Sequence, residues 1–184
     1  MKQIRVLQWG LGAMGSGMAR MMLEKQGLKI VAAVDSRPDY VGKDLGDVLG
    51  AGRALGVTVT DRPEDVLDKN NVDLVLIATT SWVGQQMPDL RKILNAGINC
   101  ISIAEEMAAP EAQNPELARE LDELAKKNGV TVLGTIDDDQ TMVGTSPNGW
   151  PWTFYILAEV PDRETVVAAC NLFRTIEVGE HRLR

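Results

Sequence analysis

The sequence predicts an α/β fold: a doubly wound parallel sheet with a short C-terminal strand–helix extension. Two observations predict it. Short apolar runs alternate with segments of helical spacing across residues 1–135, the rhythm of βαβ units. A glycine-rich turn, Gly10-Leu11-Gly12-Ala13-Met14-Gly15, falls where the first run gives way to the first helix. Right-handed crossovers make 3-2-1-4-5-6 the simplest strand order.

The elements follow in order. Ile4 to Trp9 is a β-rich run ending in glycines. Ala13 to Lys25 reads as a helix, with Met14, Met18, Met21 and Met22 at helical spacing as core filler. Lys29 to Asp35 is apolar at nearly every position, which suits a parallel strand covered on both faces. The Asp39–Gly56 stretch is too long for a tight crossover. It is read as an insertion covering the sheet, with a short helix near Asp44–Leu49. Val57 to Thr60 is a third strand. Asp61 and Pro63 then open a helix through about Lys69. Asp73 to Thr79 is the fourth strand. The helix after it reaches about Asn95, with Pro88 near its first turn and Gly97 at its C-terminal cap. Ile98 to Ile103 is the fifth strand. Asn114-Pro115-Glu116 supplies a capping side chain, a proline and an acid to a helix that stops at Asn128-Gly129. Val130 to Leu133 is the sixth strand.

The pattern changes near residue 136. Ile136 to Pro151 is polar and turn-rich and reads as a linker. Thr153 to Val160 is a strand, and Asp162 caps a helix carrying Val166, Cys170, Phe173 and Glu177, ended by Gly179. This tail is too short to bury a large core by itself. The chain is therefore divided into a dinucleotide-binding domain, 1–135, and a linker plus strand–helix segment, 136–184.

Composition excludes several classes. The chain has 184 residues, 45% hydrophobic and 24% charged, with a net charge of −7, a globular balance. The acidic balance lacks the footprint of a nucleic-acid binder. No apolar run approaches the ~20 residues of a membrane span. The N-terminus has no secretory h-region, and two cysteines make no disulfide framework, so a cytoplasmic protein is expected.

The glycine turn carries the chemistry. In a GxGxxG between strand and helix, the first glycine makes the tight turn and the second admits a pyrophosphate. The third lets helix and strand pack closely. The helix N-terminus then offers N–H groups to the phosphates. Asp35 stands 20 residues after Gly15, at the end of strand two, where a carboxylate can accept from the adenosine ribose. Together these read as a Rossmann domain binding NAD or NADP. Asp35 disfavours a 2′-phosphate, whereas Arg37 and Ser36 favour one, so the choice stays open. Other ligand contacts belong at the carboxyl ends of the strands. Thr79, Thr80 and Ser81 end strand four, facing the nicotinamide ribose. Glu105 and Glu106, just past strand five, are candidates to bind an ammonium or shuttle a proton.

These motifs, with Val41-Gly42-Lys43-Asp44-Leu45-Gly46, Ala78-Thr79-Thr80-Ser81 and Ile103-Ala104-Glu105-Glu106-Met107, resemble 2,4-diaminopentanoate dehydrogenase and its relatives, the native amine dehydrogenases, distant kin of dihydrodipicolinate reductase. The resemblance covers residues 1 to about 135. It implies NAD(P)-dependent oxidative deamination of an amine or diamine, or reductive amination of a carbonyl. It makes one glutamate of the pair the acid/base, with Glu105 favoured. The implied partner is a small-molecule amine or carbonyl, with no nucleic acid and no membrane, and a homodimer is expected. The family continues Gly-Thr-Gly-x-Asn-Pro-Gly into a substrate domain. Here Gly134-Thr135 leads instead into Ile136-Asp137-Asp138-Asp139. The tail thus reads as a truncated or replaced substrate domain, and a dinucleotide-binding module without turnover is the rival reading. Asp137-Asp138-Asp139 reads as a solvated turn, Trp150 and Trp152 as docking contacts. His181 lacks partners for a metal site or a nucleophile system.

Overall fold

A computed structural model describes residues 3–108, 110–137, 154–157, 177–178 and 181–182. Six parallel strands form one sheet in the order β3-β2-β1-β4-β5-β6: β1 (Ile4–Trp9), β2 (Leu28–Val34), β3 (Val59–Thr60), β4 (Leu74–Ile77), β5 (Asn99–Ser102) and β6 (Val132–Asp137). The order is the doubly wound one expected, with the switch point between β1 and β4. β6 continues through Asp137, so the chain passes from 1–135 into the tail within a strand. β7 (Phe154–Leu157) then adds antiparallel to β6, inside the expected Thr153–Val160 run. β8 (Glu177–Val178) and β9 (His181–Arg182) pair with each other. Glu177 is therefore in a strand and not in the helix expected there, because its backbone is extended and paired with Arg182. The rest of that helix, and Asp138, Asp139, Trp150 and Trp152, lie outside the described residues.

Alternation along each strand builds two cores. Leu7, Trp9, Val75 and Ile77 face one side and pack with Met87, Leu90, Ile93 and Leu94 of α3 (Val83–Asn95) and Leu121 of α5 (Pro115–Asn128). Val6, Ile30 and Leu76 face the other and pack with Ala19 and Met22 of α1 (Ala13–Leu23) and Leu45 and Leu49 of α2 (Leu45–Leu49). The Asp39–Gly56 insertion thus closes over the sheet. Asp44 pins it, capping α2 through the Gly46 N–H at 2.7 Å and accepting the Leu55 and Gly56 N–H groups at 2.8 Å. At the opposite end of the sheet Arg5 forks onto Asp73 at 2.9 and 2.8 Å, joining the starts of β1 and β4.

Three local expectations need correction. The helix expected from Pro63 to Lys69 is one tight turn, Pro63–Asp65. Asp68 accepts the Asn70 N–H at 2.9 Å and the Asn71 amide at 2.6 Å, and such local bonds compete with a helix. Pro88 lies well inside α3, five residues beyond its start, and not in its first turn. There it removes one intrahelical bond, and the residue opposite, Gly84, has no side chain. Asn114 precedes α5, but its side chain makes no cap; its amide goes instead to Glu106 at 3.1 Å. A short helix α4 (Pro110–Gln113), not expected from the sequence, precedes it. The α5 stop at Gly129 is as read, with φ +65°, a conformation glycine adopts freely. Other boundaries move by a residue or two, as helix and strand ends commonly do.

Leu90 is fully buried between α3 and the sheet. Leu90→Ala is expected to lower the unfolding free energy by ~2–5 kcal/mol, read from urea denaturation curves.

Candidate functional site

The turn between β1 and α1 is shaped by two close approaches. Gly10 has φ +90°, and a Cβ there would run into the Ala78 carbonyl of the chain leaving β4. A Cβ on Gly15 would strike the Gly10 carbonyl and come within 3.0 Å of Gln8 Nε2. Gly12 differs: a Cβ there would meet nothing within 4 Å. The first and third glycines close the turn, and the second opens onto space.

Two amides of the turn have internal partners. The Gly10 N–H donates to the Val34 carbonyl at 2.8 Å. The Leu11 N–H donates to Asp35 Oδ2 at 2.7 Å. Gly12 caps α1 without a side chain, so the N–H groups of Gly12, Ala13, Met14 and Gly15 have no protein acceptor among the described residues. Unpaired amides at a helix N-terminus, with the helix dipole behind them, suit a negative charge.

Asp35 is 8% exposed and collects four donors. Besides Leu11, it accepts the Arg37 N–H at 2.9 Å, Arg37 Nε at 3.1 Å and Arg37 Nη2 at 3.3 Å. Burial by itself raises its pKa. The Arg37 side chain, the Arg37 and Leu11 N–H groups and the arginine charge outweigh that and hold it below the usual carboxylate range. Arg37 also donates to the Leu11 carbonyl, and its guanidinium lies 3.7 Å over the Tyr40 ring.

A cavity of about 560 Å³ lies over this turn. Gly10, Gly12, Asp35, Ser36, Arg37 and Thr79 line it, as expected for ligand contacts. Leu11, Ala13, Met14 and Gly15 do not; Leu11 is buried in the core beneath. Trp9 lines it too, beside Gly10, and Asp61, Pro63, Asp89 and Lys92, which were not expected, complete the wall. Burial raises the Asp89 pKa, with Lys92 3.9 Å away opposing it.

Thr80 and Ser81 are absent from that lining. The Thr80 hydroxyl donates to Gln85 Oε1 at 2.7 Å and accepts the Trp82 N–H at 3.3 Å. The Ser81 carbonyl accepts the Glu106 N–H at 3.2 Å.

Glu105 and Glu106 also lie outside the cavity lining, in the turn after β5, and their surroundings separate them. Glu106 Oε2 accepts the Val83 N–H at 2.8 Å, serving as the missing cap of α3, and binds Asn114. Glu105 is exposed and has no hydrogen-bond partner among the described residues. Four buried polar residues were not expected as site residues: Gln8, Ser16, Gln86 and Ser102. The signal for Gln86 was present, a polar residue within the apolar 83, 87, 90, 94 spacing of α3.

Gly15→Ala is expected to lower thermal stability strongly, while Gly12→Ala leaves the melting temperature within a few degrees of the parent; differential scanning fluorimetry separates the two. The lowered Asp35 pKa has a second consequence. Its stabilisation is complete above the unfolded-state value of ~3.9 and disappears as the pH falls through the lower folded-state value. The stability gap between parent and Asp35→Asn should thus be full at pH 7 and shrink below about pH 4, as measured by denaturant titration.

Comparison with known proteins places this geometry. Residues 4–101 match the family described as dihydrodipicolinate reductase, N-terminus. The chain is 44% identical over 136 residues to 2,4-diaminopentanoate dehydrogenase of Acetoanaerobium sticklandii, covering 73% of this chain and 38% of that protein. It is 35% identical over 69 residues to 4-hydroxy-tetrahydrodipicolinate reductase of Methanococcus vannielii, covering 36% of this chain and 25% of that one. Among solved structures, amine dehydrogenase from Mycobacterium smegmatis superposes with a TM-score of 0.70 at 42% identity, over 76% of this chain and 40% of that one. The chain thus spans about two fifths of the length of its amine dehydrogenase-type relatives.

Proposed function

This chain belongs to the dihydrodipicolinate reductase N-terminal family, and we propose that it is the NAD(P)-binding part of an amine dehydrogenase-type oxidoreductase. The observation that carries the reading is the cradle at Gly12. Gly12, at the unpaired N-terminus of α1, opens into a cavity also lined by Asp35, Arg37 and Thr79. That donor set fits a dinucleotide: anion-binding amides in the middle, ribose-binding side chains on either side.

In this reading residues 1–135 are the dinucleotide-binding domain and 136–184 an extension. The amides of Gly12–Gly15 hold the pyrophosphate, and Gly10 and Leu11 shape the turn. Asp35, Ser36 and Arg37 hold the adenosine ribose. Because Arg37 already neutralises Asp35, a 2′-phosphate meets less repulsion than a bare aspartate would present, which leaves the edge open to NADP as well as NAD. Thr79, with Thr80 and Ser81 behind it, borders the nicotinamide ribose.

A bound nicotinamide supplies hydride acceptance or donation. The protein's own contribution at the reacting carbon is a proton acceptor. Glu105 fills that role, since its carboxylate is exposed, while Glu106 holds the N-terminus of α3. The substrate is a small-molecule amine or diamine in one direction and a carbonyl in the other. A homodimer and a cytoplasmic location complete the proposal. No helix among the described residues is long and apolar enough to cross a membrane.

Titration with NADH and NADPH, followed by tryptophan emission, tests cofactor binding, since Trp9 borders the cavity. Micromolar binding of either is expected; binding of neither overturns the proposal. An amine panel with NAD(P) then reads turnover. Glu105→Gln is expected to lower kcat by about 10²–10⁴ and leave cofactor affinity intact. Glu106→Gln should chiefly lower the melting temperature. Cofactor binding without turnover in the parent would leave only a dinucleotide-binding module.

A further inference from the structure

The buried glutamine of α3 belongs to a chain of hydrogen bonds that runs in one direction. At its inner end the Ala104 N–H, which can only donate, gives its proton to Ser102 Oγ at 3.1 Å. The Ser102 hydroxyl donates to Gln86 Oε1 at 2.5 Å. Gln86 Nε2 then donates to Thr79 Oγ1 at 3.3 Å. The lengths agree with this orientation of the amide. A contact of 2.5 Å suits O–H···O and is too short for N–H···O, whereas 3.3 Å is long for O–H···O. Gln86 and Ser102 are both fully buried, so neither can exchange these partners for water.

The direction has a consequence at the outer end. Thr79 is exposed and lines the cavity. Its oxygen accepts from behind, so its own hydrogen turns away from Gln86, and it has no acceptor among the described residues. The residue stands at the end of β4, across the Gly10 turn from Asp35 and Arg37 at the end of β2. A dinucleotide held over the turn, with its adenosine side at Asp35, would bring its nicotinamide side toward Thr79.

We propose that Gln86 is a positioning residue that turns the Thr79 hydroxyl outward, as a hydrogen-bond donor to an acceptor oxygen on the nicotinamide side of the bound dinucleotide. The proposal rests on the dinucleotide-binding reading above. It adds a role to a residue that touches no ligand, and it makes Thr79 a donor where a threonine could equally accept.

Equilibrium titration of the full chain with NADH, ADP-ribose and 5′-AMP tests it. Thr79→Val should weaken NADH and ADP-ribose about tenfold, or ~1.4 kcal/mol. Thr79→Ser, which keeps the hydroxyl, should recover most of that loss. 5′-AMP, which lacks the nicotinamide side, should bind parent and variants alike. Gln86→Glu supplies a carboxylate that accepts from both neighbours and draws the Thr79 proton inward. It should cost a similar factor, with no further loss when combined with Thr79→Val. Additive losses in the double variant, or a folded Gln86→Glu that binds as the parent does, overturn the proposal. If Gln86→Glu does not fold, Ser102→Ala frees the amide to turn over and should weaken NADH several-fold only while Thr79 is present; unchanged binding overturns the proposal equally. A parent that binds none of the three ligands contradicts the dinucleotide reading itself. A parent that binds, with Thr79→Val unaffected, contradicts this inference alone.

Discussion

The carboxylate of Asp35 accepts the amide of Leu11 at 2.7 Å, and the top of the sheet is arranged around that bond. It joins the end of β2 to the turn leaving β1, just before the unpaired N-terminus of α1. Arg37 is drawn across the same carboxylate and reaches back to the Leu11 carbonyl. One buried acid thereby orients both the turn between β1 and α1 and the Arg37 guanidinium. A buried carboxylate is costly unless hydrogen-bonded, and four donors meet that requirement here.

Buried glutamines support this arrangement from below. Gln8 Nε2 donates to the Gly10 carbonyl at 2.9 Å, bracing the turn from inside the sheet. Its Oε1 has no partner among the described residues, so at least one of its acceptor sites forgoes a bond in the interior. Gln86 does the corresponding work on the other side of the switch point, between β5 and the end of β4. Both sit at positions where the apolar alternation would place a hydrocarbon side chain.

The acidic pair after β5 shows how neighbouring residues divide. Glu106 faces the N-terminus of α3, where Trp82 provides no side-chain cap, and a carboxylate there satisfies an orphan N–H and the helix dipole together. Glu105, one residue earlier, faces solvent. Adjacent side chains in a tight turn point apart, so one anchors the fold while the other stays exposed.

Much of this was legible in the sequence. The strand order, the glycine turn and Asp35 follow from local pattern, because turn geometry and strand periodicity depend on residues close along the chain. The end of α5 at Gly129 and the short helix near Asp44–Leu49 were legible for the same reason. Tertiary structure decided what depends on distant partners. Asn114 has the form of a cap, yet Glu106 takes its amide. Asp61 to Lys69 reads as a helix, yet Asp68 draws the following backbone into a turn. The glutamates look equivalent until Val83 arrives against one of them. Gln86 is one polar residue in an apolar stripe until Ser102 of β5 and Thr79, just past β4, meet it. Local propensity sets the conformation of a segment, but the partner of a polar side chain is set by whatever the fold brings within three ångströms of it.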